Sequence, residues 1–238
     1  MKKIFAILFS VISGAGIMNA QTDCVQFFPE NEGTVLTTKT YDAANRLLNT
    51  MVYRVNSVSS GPSTSNTQIG FTLMDGSNTA VSNANIDASC SNGIFNMRMV
   101  SRGHSPEVVR SMTTNTELIG YFLNYPNTIN TAPFDNSPFV MDGGEFTIED
   151  NSDRRENVRV RVYNRQLEGR ENVITPARND SFNAYKITFS FDVTSGGQTT
   201  QLRGVEWYAP AFGIVRSETY DSNGNLINKT ELASIHEG

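Results

Sequence analysis

Val205–Leu232 reads VEWYAPAFGIVRSETYDSNGNLINKTEL. It decides the fold, because it holds two β-like runs and a turn. In Gly204–Tyr208, Val205 and Trp207 alternate with Glu206 and Tyr208, the period of a strand. Pro210 has no N–H to give a ladder, so the strand must stop or bulge there. Gly213 then allows a sharp return, and Phe212–Tyr220 is rich in β-formers again. Asp221-Ser222-Asn223-Gly224-Asn225 is turn chemistry, and Asn223-Gly224 is expected to supply positive φ at both central positions. Leu226–Leu232 runs back as the last strand. A calcium loop is the sharper reading of the same residues. It fails on spacing, because Gly224 stands at loop position four and Leu232 occupies position twelve, where a bidentate Glu is needed.

The same grammar extends toward the N-terminus. Ser195-Gly196-Gly197-Gln198 is a hairpin turn between Thr199–Trp207 and Tyr185–Val193, where Ile187, Phe189 and Phe191 share one face. In Val158–Tyr163, Val158, Val160 and Val162 face in while Arg159, Arg161 and Tyr163 face out, as in an antiparallel strand wet on one side. Thr34–Tyr41 and Arg46–Val58 form a hairpin. Its turn, Tyr41-Asp42-Ala43-Ala44-Asn45-Arg46-Leu47, echoes Tyr220–Leu226 at the far end of the chain. Either the two hairpins are neighbours in one sheet, or the same turn chemistry is used twice. Gln68–Met74, Ala84–Cys90 and Ile94–Val100 add strands, with Phe95, Met97 and Met99 inward. The segment 101–145 is different. Ser105-Pro106-Glu107 resembles a helix N-cap followed by Pro at the first helical position, and Pro126, Pro133 and Pro138 break regular structure. The expected fold class is all-β: a curved antiparallel sheet, a barrel or half-barrel of about ten strands, with a short helix or loop covering one end.

Lys2 and Lys3 precede the apolar run Ile4–Ile12, and small residues lead to Asn19-Ala20, which is the layout of a signal peptide spanning residues 1–20. Residues 21–238 then form a single all-β domain, exported to the periplasm or cell surface. Cys24 lacks the apolar and small residues that precede a lipidated cysteine, so no lipid anchor is expected. Loss of the two lysines takes the formal net charge from −5 to −7. That argues against nucleic acid and anionic membranes, which want a basic face, and no later run is long enough to span a bilayer. In an oxidising compartment Cys24 and Cys90 are expected to pair as a disulfide.

Catalytic chemistry is sparse. His104 and His236 are the two histidines, too few for a zinc site or a triad. Cys90 with His104 has no nucleophile signature around it. Asp142, Glu145, Glu149, Asp150 and Asp153 cluster in sequence, but Arg154 and Arg155 among them point to a solvated, charged tip. The expectation is a non-enzyme with no cofactor and no metal. One candidate site is an apolar face of Phe95, Met97, Met99, Phe189, Phe191 and Trp207, which could hold a lipid or other hydrophobic ligand or could simply fill a core. The alternative is a structural or adhesion-associated protein that works through contacts with an envelope protein.

Four blocks carry a resemblance. Phe27-Phe28-Pro29-x-x-Glu32-Gly33-Thr34-Val35-Leu36 is followed by Tyr41-Asp42, and later by Cys90-x-x-Gly93-x-Phe95. Glu168-x-x-Glu171-Asn172-Val173-Ile174-Thr175-Pro176-Ala177 precedes Phe182-x-Ala184-Tyr185-Lys186-Ile187. Last comes Val205-Glu206-Trp207-Tyr208-Ala209-x-x-x-Gly213-Ile214-Val215-Arg216-Ser217-Glu218-Thr219-Tyr220. On these the chain resembles the TapB-like family of exported bacterial proteins, relatives of a widespread periplasmic domain of unknown function. It departs from the family at Arg178-Asn179-Asp180-Ser181, which stands where a Pro-Ala-Gly-Thr-Phe run is usual. The resemblance implies an all-β, curved or barrel-like domain and brings no catalytic residues or cofactor.

Overall fold

Alternating side chains and Asp-led turns build the described residues into strands. The structure is a computed structural model, and it describes residues 29–61, 64–91, 94–102, 116–120, 125–126, 139–141, 143–150 and 157–238. The N-terminal strands are β1 (Val35–Asp42), β2 (Leu47–Ser60), β3 (Thr64–Asp75), β4 (Ala80–Ser91) and β5 (Ile94–Arg102). Four shorter ones follow: β6 (Thr116–Gly120), β7 (Tyr125–Pro126), β8 (Phe139–Met141) and β9 (Gly144–Asp150). The C-terminal strands are β10 (Val158–Val173), β11 (Phe182–Ser195), β12 (Gln198–Ala209), β13 (Gly213–Tyr220) and β14 (Leu226–His236). Among the described residues there is no helix. The expected helix at Ser105–Met112 lies outside them. Part of the segment expected to be an irregular cover is sheet instead, since β6, β8 and the start of β9 fall within 101–145.

All fourteen strands join one sheet, in the order β6-β9-β10-β11-β12-β13-β14-β1-β2-β3-β4-β5-β7, with β8 pairing β10 off this path. Two meanders are therefore fused where the last strand meets the first. β14 pairs antiparallel with β1 from Val35 opposite His236 to Asp42 opposite Asn228. The echoing hairpins are thus neighbours. The hydrogen-bonded ladder does not close, but the sheet curves far enough that β5 lies against β6. Such curvature follows from strand twist and from bulges, which interrupt the register of β1–β14, β2–β3, β10–β11 and β12–β13.

The turns explain the register. In three hairpins an Asp leads: Asp42–Arg46, Asp75–Thr79 and Asp221–Asn225. Each Asp Oδ1 accepts from two turn N–H groups, those of Ala44 and Arg46, Ser77 and Thr79, and Asn223 and Asn225. The fourth residue is left-handed each time, Asn45 at φ 60, Asn78 at φ 61 and Gly224 at φ 85. This is a type I turn closed by a left-handed residue, not the two-residue turn with positive φ at both Asn223 and Gly224. The side chain of Asp221, which turns the backbone locally, won over the Asn-Gly preference. Register places all three turns on one rim, because Asp42 faces Asn228 and Asp75 faces Asn49. The three carboxyls lie below their ordinary range, held down chiefly by the Arg46 N–H, the Ser77 hydroxyl and the Asn225 amide respectively.

One face of the sheet carries the core. Ile69, Ala184, Ile187 and Val215 are fully buried there, with Leu36, Leu73, Phe182 and Leu232 close to it. Val158 and Val162 point inward and Arg159 and Arg161 outward, as their alternation predicts. The expected Cys24–Cys90 disulfide finds no support: Cys24 lies outside the described residues, and of Cys90 only its place on β4, opposite Phe95, is described.

Candidate functional site

The six residues of the expected apolar face do not stay together. Phe189 and Phe191 sit opposite Gly204 and Leu202, while Trp207 sits opposite Lys186. Odd offset along β12 sends Trp207 to the other side of the sheet from the two phenylalanines. Phe189 and Phe191 pack against the core with ring centroids 5.7 Å apart. The Phe189 ring covers Gly204 so closely that a Cβ built there would lie 2.3 Å from it. Phe95, Met97 and Met99 hold register positions on β5 opposite Cys90, Ala88 and Ile86, and their side chains lie outside the described set.

The Trp207 face has its own organisation, set by three cross-strand rows. Lys186, Trp207, Arg216, Glu231 and Lys39 stand in one row from β11 to β1. Thr188, Val205, Glu218, Lys229 and Tyr41 form the next, and Ser190, Arg203 and Tyr220 a third. Trp207 is buried although its neighbours are charged. Its indole N–H donates to Glu171 Oε2 at 2.7 Å, and the Arg216 guanidinium lies 5.1 Å from its ring centroid. Lys186 bridges Glu171 at 3.1 Å and Glu168 at 3.6 Å. Glu168 also accepts from the Thr188 hydroxyl at 3.0 Å. Arg216 Nε donates to Glu218 at 3.1 Å, and the Tyr220 hydroxyl donates to the other oxygen of that carboxylate.

These bonds tune the ionisations. The Trp207 N–H, helped by Lys186, holds the Glu171 carboxyl below its ordinary value, and bonding to Glu171 raises the Lys186 ammonium. The Glu218 carboxylate raises Tyr220. A depressed carboxyl adds stability that is present above its unfolded pKa and lost as pH falls through its folded one. Protonating Glu171, below its ordinary 4.5, should therefore change the emission of the protein's sole tryptophan and cost less than about 1 kcal/mol, since the pair is half exposed. In a fluorescence pH titration, Glu171→Gln should erase that acid step; a step of unchanged midpoint and amplitude would refute the assignment.

Beside this network lies a groove of about 430 Å³, lined by Asn164, Glu168, Thr188, Ser190, Arg203 and Tyr220, with Phe189, Gly204, Val205 and Gly224 as its other walls. The third row forms its floor. Its far wall comes from β10, where the pairing with β11 slips twice, between Tyr163 and Gln166 and between Leu167 and Gly169. Asn164 is left-handed at φ 53 and Gly169 has φ 142. The double bulge turns Arg165 and Leu167 into the interior and leaves Glu168 on the groove side. Alternation located none of these residues. The available signal was its failure after Tyr163, where Asn164-Arg165-Gln166-Leu167-Glu168-Gly169 no longer repeats the Val/Arg period.

Of the residues weighed for chemistry, His236 is exposed at the end of β14 and His104 lies outside the described residues. Glu145 is paired across strands with Arg159, Nε to Oε1 at 2.8 Å, a surface ion pair as its charged surroundings suggested. No group of three His, Cys, Asp or Glu side chains could hold a metal among the described residues, and no helix there is long and apolar enough to cross a membrane.

Comparison with known proteins agrees with this architecture. A candidate exported protein with a YmcC-like fold from Bacteroides fragilis NCTC 9343 superposes with a TM-score of 0.78 at 27% identity, over 90% of this chain and 100% of that one. A candidate lipoprotein from Parabacteroides distasonis ATCC 8503 superposes with a TM-score of 0.79 at 32% identity and the same coverage. Both descriptions are consistent with an extracytoplasmic place for this chain. None of the curated proteins matches it. The TapB-like name is not among the matches. The family model that does fit runs over residues 31–232, from the turn before β1 into β14, and so takes in both meanders and the groove; the chain belongs to the DUF3108-like family.

Proposed function

We propose that this is an exported, non-catalytic binding protein whose ligand lies in the groove between the β10 bulges and the Asp221–Asn225 turn. The carrying observation is the double bulge. A left-handed Asn at the wall of a cleft costs backbone energy, and such features cluster where a binding surface has to be shaped. The groove's volume is in the range of small-ligand sites. Its single carboxylate, Glu168, is held by Lys186 and Thr188, a positioning arrangement with no nucleophile–base pair around it. Phe189, which already fills the space above Gly204, is itself part of the groove's wall, so an apolar side chain borders the polar ones there. The test is native mass spectrometry of protein purified from its own cells, against a Ser190→Tyr variant that fills the groove floor. A retained small-molecule mass on the wild type and its loss from the folded variant are expected. A mass retained equally by both would move the site elsewhere, and a bare wild type would remove the reading.

A further inference from the structure

We infer that the groove selects a hydroxyl-rich carboxylate about the size of one acidic sugar, with Arg203 as the carboxylate anchor. This rests on the groove being the binding site and adds the class of ligand. Three cations of the Trp207 face are committed: Lys186 to Glu171 and Glu168, Arg216 to Glu218, and Lys229 to Glu231 at 3.8 Å. Arg203 makes no ion pair among the described residues, yet it lies in the groove floor between Ser190 and Tyr220. Its position is built. Gly224 is left-handed, and a Cβ there would come within 2.9 Å of Arg203 Nη2. The Asp221 turn thus presents its one side-chain-free residue to the guanidinium and holds that head at the groove's edge. A guanidinium offers paired donors in a plane, the match for a carboxylate.

The remaining lining mixes polar and apolar groups. Asn164 offers an amide, Ser190 a hydroxyl that donates or accepts, and Thr188, whose O–H goes to Glu168, an acceptor oxygen, while Phe189 and Val205 offer apolar surface of the kind the C–H face of a sugar can cover. Glu168 and the Glu171 behind it disfavour a ligand carrying several negative charges, since like charges at short range repel. One anionic group with several hydroxyls around it satisfies both ends of the groove. A fatty acid offers the carboxylate but leaves the groove's polar groups unpaired. A phosphate offers an anion without the hydroxyls.

The experiment is calorimetric titration of the folded chain with D-glucuronate, D-glucose, octanoate and inorganic phosphate, with Trp207 emission as a second readout. Glucuronate should bind saturably and at least about tenfold more tightly than the other three. Arg203→Gln should lose about tenfold or more for glucuronate, a larger loss than for glucose, whereas Arg203→Lys should lose less. Thermal unfolding of each variant checks that the fold survives. Glucose binding as tightly as glucuronate, or an Arg203→Gln variant that binds glucuronate normally, would overturn the anchor while leaving the groove a binding site. Phosphate or octanoate binding as tightly would replace the ligand class. If Ser190→Tyr does not weaken glucuronate binding, the groove itself is wrong and this inference falls with it.

Discussion

Gly204→Ala is expected to unfold at clearly lower urea than the wild type, by about 1–3 kcal/mol, although it adds a single methyl group. The methyl would enter the Phe189 ring, 2.3 Å from its nearest atom. That ring cannot swing away freely, because Phe191 stands beside it and the core lies beneath. Phe189→Ala alone should cost no more than about 3 kcal/mol, the low end for losing an aromatic ring, because Phe189 is only partly buried. The double variant is the decisive measurement. Removing the ring opens the space the methyl needs, so the two losses should fall short of their sum by about 1 kcal/mol or more. Strict additivity would mean that the ring does not occupy the space over Gly204. The Trp207 acid step should persist in both single variants, since it belongs to the opposite face.

Leu232→Ala should be costlier, about 2–5 kcal/mol, against the roughly 5–15 kcal/mol that holds a typical domain together. Leu232 is 1% exposed and stands on β14, the strand that welds the two meanders. Thr230→Pro probes the same weld through the backbone. Thr230 lies opposite both Ser217 of β13 and Thr40 of β1, and its hydroxyl meets that of Thr40 at 2.9 Å. A proline in a strand with partners on both sides removes a ladder donor that no edge can spare. Amide exchange should then show protection lost from β1 and β13 together. Protection retained on β1 would mean that the N-terminal meander folds without β14.

Much of this architecture was legible because period-two burial is a local property. The Val158–Val162 stripe, the stop at Pro210, the return at Gly213 and the Gly196-Gly197 hairpin, with φ 56 and 77, each depend on residues a few places apart. The Asp turns were half legible. The turns at Asp42 and Asp221 were plain, but Asp75–Thr79 joins them through hydrogen bonds that a composition of Gly, Ser and Asn does not distinguish. The parting of Trp207 from Phe189 and Phe191 has a different reason. Whether Phe189 and Trp207 share a side depends on how β11 aligns with β12, and a shift of one residue reverses the answer.

From residue order alone came the strands and their turns, since each is written in neighbours. Folding in three dimensions settled that β14 completes β1, that Trp207 belongs to a charged face, and that two slips in β10 open a groove beside Arg203. Those outcomes depend on pairings between residues up to two hundred positions apart, and on bulges whose cost is repaid by partners on other strands. No local pattern encodes such a balance.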